Sequence, residues 1–132
     1  MRKSLSALGA VAILFFPGFS AHADTGPAAD IVAIRKLATI SNGRCPQRVS
    51  HVSVSGSYGL ATVEQHGACD AATVWVFARK GGAWRSTGGI GGVPDACTIH
   101  SKGVPLAIAP GLIRAFTGSS NASLTSTKSC GG

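Results

Sequence analysis

The groups able to do chemistry in this chain are four cysteines, a few histidines, many serines and five carboxylates, and their spacing argues against most reactions. Cys45, Cys69, Cys97 and Cys130 lie too far apart for the Cys-x-x-Cys pairs of a structural metal site. An even count in a small exported chain reads instead as two disulfides, and an oxidised cysteine cannot attack a substrate. The histidines His51, His66 and His100 are expected at surface or edge positions. His51 and His66 fall on one face of a hairpin but about 13 Å apart at the usual strand rise, too far to share a metal ion.

Nucleophilic catalysis needs a nucleophile, a base and an orienting group in contact. The serine-rich run Ser53-Val54-Ser55-Gly56-Ser57-Tyr58-Gly59 does not form a Gly-x-Ser-x-Gly elbow. Asp70 and Asp95 sit in turn-like contexts, where aspartate serves local hydrogen bonds. The acid/base pairs on offer are Asp70 with His66 and Asp95 with His100. Gly88-Gly89-Ile90-Gly91-Gly92 lacks the Gly-Lys-Ser/Thr of a phosphate loop and reads as a strand end or bulge. No enzyme activity, cofactor or metal site is therefore expected.

Binding is the remaining class. Arg79, Lys80, Trp84 and Arg85 cluster around a glycine pair and combine the residue types that dominate protein contacts. Arg44 and Arg48 add to a basic excess that draws anionic partners, either a protein or an anionic envelope component. The chain has neither a long basic run nor an RNA-binding aromatic signature. A basic inhibitor would meet like charge on a cationic hydrolase, so such a target is disfavoured.

The first segment bears on compartment. Arg2 and Lys3, an apolar stretch over residues 5–16, Pro17-Gly18 and then Ala21-His22-Ala23 have the layout of a secretory signal peptide. The stretch is shorter than the about 20 residues that span a bilayer. Cleavage is expected after Ala23, leaving a periplasmic or secreted protein of residues 24–132. Loss of Arg2 and Lys3 lowers the formal charge of +7 to +5.

Among the elements that must position these groups, the first is a helix over residues 27–40. Pro27 opens it, Ile31, Ile34, Leu37 and Ala38 form its apolar stripe, and Asn42-Gly43 stops it. Residues 49–66 read as a hairpin turning at Gly56-Ser57, pairing Ser55 with Tyr58, Val52 with Ala61 and Ser50 with Val63. That register sets Cys45 opposite Ala68, next to Cys69, so Cys45 is expected to bond Cys69 and Cys97 to bond Cys130. A second hairpin over residues 73–90 turns at Gly81-Gly82, with Arg79 opposite Trp84 and Phe77 opposite Ser86. Trp75, Phe77, Arg79 and Trp84 then share one face, and Val74, Val76 and Ala78 the other. Apolar residues on both faces predict a ribbon covered on both sides, with Trp75 and Phe77 in the core and Trp84 at the surface. Residues 97–100 suggest a short strand or ordered loop. Residues 104–116 suggest one turn and then a helix over 110–116 with Pro110 at its first position.

The order of elements predicts an α+β fold: a four-stranded or slightly larger antiparallel sheet packed by an N-terminal and a short C-terminal helix. The domain is expected over residues 24–116, followed by a Ser/Thr/Gly-rich, extended or loosely ordered tail over 117–132 tied back by Cys130. The runs Tyr58-Gly59-Leu60-Ala61-Thr62-Val63 and Val76-Phe77-Ala78-Arg79-Lys80-Gly81-Gly82-Ala83-Trp84-Arg85 resemble strand pairs of small exported cystatin-like and NTF2-like domains. That resemblance implies shape alone. A cone-shaped NTF2-like cavity would imply the alternative class, a small enzyme or ligand carrier, with a pocket of about 300 Å³ or more and His51 or Asp95 pointing inward.

Overall fold

The computed structural model describes residues 23–39, 45–69 and 71–131. The expected signal sequence up to residue 22, the Asn42-Gly43 stop, Arg44 and Asp70 lie outside these residues. Four antiparallel strands form one sheet in the order β1-β2-β3-β4: β1 Gln47–Ser55, β2 Tyr58–Gln65, β3 Ala71–Lys80 and β4 Ala83–Gly91. Helix α1 (Ala28–Ala38) precedes them, and α2 (Ala96–Ser101), α3 (Ala109–Thr117) and α4 (Ala122–Thr125) follow. The fold is α+β, with disulfides Cys45–Cys69 and Cys97–Cys130.

Both hairpins turn where the glycines allow it. Gly56 has φ +59°, which suits the first position of a two-residue turn, and Gly81 and Gly82 are both left-handed. Away from the tips each hairpin contains one extra residue. Val52 pairs with Ala61 and His51 with Thr62, but Val49 rather than Ser50 then pairs with Val63. Ser50 is bulged out, so every side chain of β1 before it exchanges faces. Likewise Phe77 pairs with Ser86, but Val76 pairs with Gly88, leaving Thr87 as a second bulge whose hydroxyl reaches Val76 O.

Each face of the sheet carries its own apolar layer. On one, Ile34 and Ala38 of α1 pack on Val52, Val54, Ala61, Val63, Phe77 and Trp84. Gly59 lets the helix approach this closely, since a Cβ there would stand 2.5 Å from Ile34 Cδ1. On the other, Leu60, Val74, Val76 and Ile90 meet Ile99 of α2 and Leu112, Ile113 and Phe116 of α3. Leu60, Ile99, Leu112 and Ile113 are fully buried and fill the space between the layers.

Outside the sheet, three expectations about the elements need correction. Residues 97–100 belong to helix α2, started by a capping box: Thr98 N–H donates to Asp95 Oδ1 at 2.8 Å, and Asp95 N–H to Thr98 Oγ1 at 2.9 Å. A helix of 6 residues is too short to show a periodicity. Helix α3 begins at Ala109, one residue before Pro110. The tail is ordered through α4, where Asn121 accepts from Ser123 N–H and Leu124 packs on the α3 layer.

The Cys97–Cys130 bond joins α2 to the end of this tail. Replacing both cysteines by serine should cost about 2–5 kcal/mol. Hydrogen exchange should then accelerate over residues 119–131 while the strands keep their protection; unchanged protection in the tail would show that α4 holds without the bond.

Candidate functional site

The sheet divides the predicted contact cluster. Arg79 and Trp84 face α1, whereas Lys80 and Arg85, one position further along each strand, face the opposite side. Trp84 is 8% exposed, and its indole Nε1–H donates to Asp30 Oδ1 at 3.1 Å. Arg79 Nη1 donates to the same oxygen at 3.0 Å, and the guanidinium carbon Cζ lies 5.3 Å from the Trp84 ring centroid. One carboxylate from α1 therefore holds both side chains. Lys80 and Arg85 are exposed.

The two tryptophans exchange their expected places. Trp75 is 37% exposed although it shares a face with buried Phe77. Helix α1 has 11 residues and so spans about 16 Å, enough for β1, β2 and the tip of β4 but not for the far part of β3. Opposite Trp75 stands Gly89, which has no side chain to cover it. Leu37, expected on the buried stripe, sits at its margin at 36% exposure, and Val32 is 64% exposed.

Beside the hairpin tip these helix residues form a groove. Ala33, Lys36 and Leu37 of α1, with Gly82 and Trp84, line a concavity of about 390 Å³. A neighbouring, shallower one of about 550 Å³ lies among Val32, Arg35, Lys36 and Thr39. Lys36 belongs to both, with its side chain exposed. The periodicity of α1 marks which residues face the sheet but says nothing of what lies beside the helix.

A second constellation has no counterpart in the sequence reading. Asp24 Oδ1 accepts the Val52 N–H at 2.9 Å, and Asp24 Oδ2 accepts from Arg35 Nη2, whose Nη1 donates to Val49 O at 2.7 Å. Thr25 continues the contact as a parallel bridge to Ser53, covering the outer edge of β1. His51 is buried rather than at the surface, with Nδ1 at 3.6 Å from Asp24 Oδ1, Nε2 at 3.3 Å from Ser53 Oγ and its ring against Phe116. Its pairing with Thr62 is the expected one; Asp24 and Phe116 of α3 close over the ring from other elements. Serine, histidine and aspartate thus stand in the order used by hydrolases. Ser53 has no exposed surface, however, so in this conformation no substrate carbon reaches its oxygen.

Of the acid/base pairs on offer, Asp95 with His100 does not form, and Asp70, the partner considered for His66, lies outside the described residues. Asp95 caps α2, and His100 Nδ1 contacts Val104 O at 2.8 Å. His66, half exposed, lies 3.9 Å from Glu64. Among the described residues no group of three or more His, Cys, Asp or Glu side chains could hold a metal ion.

Burial pulls the Asp24 carboxyl upward, but the Val52 N–H, then Arg35 and then His51 outweigh it, and the group ends below the ordinary aspartate value. A depressed folded-state pKa gives stability that is present above the unfolded value, about 3.9, and lost as pH falls through the folded one. Asp24→Asn should cost about 1–3 kcal/mol at neutral pH. In melts across pH, the gap between wild type and variant should close below about pH 4; a gap constant to pH 2 would assign the effect to packing alone.

No family model matches the chain, and comparison with curated proteins and with solved structures gives no significant match, so its site is described by its own geometry.

Proposed function

We propose that this chain is an exported, disulfide-stapled binding module whose contact surface is the groove between α1 and the β3–β4 tip. The observation that carries this reading is the groove itself: an apolar floor of Ala33, Leu37 and Trp84 with the exposed Lys36 ammonium at its rim. Aromatic and aliphatic surface ringed by a cation suits a protein partner that offers an apolar side chain beside a carboxylate. Asp30 already neutralises Arg79, so Lys36 is the cation left to meet such a group.

Export is supported by the sequence layout of residues 1–23 and by two disulfides. Asp24 is tied into the fold while Ala23 is exposed, which suits cleavage between them. Mass spectrometry of the exported protein should give Asp24 as its first residue.

Trp84→Ala is unsuited to testing the groove, because truncating a buried tryptophan costs about 3–5 kcal/mol. Leu37→Asp and Lys36→Glu leave the core untouched. Each should weaken binding to a partner isolated on the mature protein by about tenfold or more, with the melting temperature nearly unchanged. Lys80→Ala with Arg85→Ala, on the other face of the sheet, should leave that binding intact. Binding lost only in the second pair would move the contact surface to that face.

A further inference from the structure

We propose that the free edge of β4 is a docking strand for an extended partner segment in which apolar and acidic residues alternate. The site is separate from the α1 groove and does not depend on it.

The two edges of the sheet are treated differently. Beyond β1, the Thr25 N–H donates to Val52 O and the Thr25 carbonyl accepts the Val54 N–H, so residues 24–25 cover that edge. Among the described residues β4 pairs with β3 alone. A strand in that position presents a row of backbone N–H and C=O groups, the template for strand addition.

The side chains around the edge come from neighbouring elements rather than from β4. Gly89 has Trp75 lying over it: a Cβ there would stand 3.4 Å from the ring atoms Cη2 and Cζ3, the far end of the indole. The far end of the ring therefore lies over β4 at Gly89 on the α1 face of the sheet, beside Thr73 Cγ2. Gly88 is roofed on the other face by Lys102 of the α2–α3 connection, whose Cδ would lie 2.7 Å and Cε 3.4 Å from a Cβ. Arg85 projects on that same face, opposite Ala78. One side of the edge thus offers an aromatic ring and the other side two cations.

An added strand alternates its side chains between the two faces. Residues on the α1 face would meet Trp75, which favours apolar groups. Residues on the other face would meet Lys102 and Arg85, which favours carboxylates. Charge also discriminates against a second copy of this chain, since pairing two β4 edges would set Arg85 and Lys102 of each against their counterparts. The Thr87 bulge adds to this, as bulges and charges are common defences of an edge against self-pairing.

The test uses the isotope-labelled mature protein and a capped peptide of alternating valine and glutamate matched to the 9 residues of β4. The peptide should shift the backbone amides of residues 83–91 and the Trp75 indole resonance in a saturable way. Binding should weaken about tenfold or more in Trp75→Ala, and likewise for a peptide whose alternate backbone nitrogens are methylated. Arg85→Glu with Lys102→Glu should transfer the preference to a valine/lysine peptide. Three outcomes would overturn the proposal: no saturable shift at millimolar peptide, equal binding of the methylated peptide, or shifts confined to α1. Concentration-dependent shifts of residues 83–91 without peptide would replace the acidic partner with a second copy of the chain.

Discussion

A sheet with apolar residues on both faces has no side to offer water, and this constraint organises the molecule. Phe77 and Val76 are adjacent on one strand and point into different layers, so neither face can be left open. The helices among the described residues do not cover both faces fully. Helix α1 covers one face and leaves the Trp75 corner bare, while α2, α3 and α4 together cover the other. The exposed features of the protein are therefore the places where the covering runs short: the groove beside α1 and the β4 edge.

Electrostatics follows from the same scarcity. The described carboxylates Asp24, Asp30 and Asp95 are each occupied internally, pairing with Arg35, with Arg79 and Trp84, and with the start of α2. What remains for solvent is cationic, with Lys36, Lys80 and Arg85 exposed on surfaces that no described carboxylate neutralises. Residues 24–132 carry a formal +5, and because Asp24 and Asp30 are matched by Arg35 and Arg79, that excess rests on the remaining cations. Both proposed contact surfaces read that imbalance in the same direction.

The hairpins were legible because paired glycines and alternating apolar residues are local signals. The bulges were not. An extra residue at Ser50 or Thr87 leaves no mark on composition, yet it shifts the pairing beyond it, and the burial of His51 comes from Asp24 and Phe116, which reach it from distant parts of the chain. Trp75 and Trp84 were assigned to the right face but given each other's exposure, since a strand pattern says which way a side chain points and not how far a helix extends above it. Asp24 and Asp30 carry no local signal, because their partners Val52 and Trp84 are 28 and 54 positions away. The capping box at Asp95 and Thr98 was readable in principle and was overshadowed by the neighbouring glycines.

The disulfides join the first cysteine to the second and the third to the fourth, and the loops they close, of 24 and 33 residues, do not overlap. Cysteines that enter an oxidising compartment in chain order meet their native partners before any later cysteine arrives. The first bond closes the base of the β1–β2 hairpin, and the second encloses the helices that complete the opposite layer. Successive pairing of this kind does not call for reshuffling by an isomerase, because each bond closes before the next cysteine competes for it.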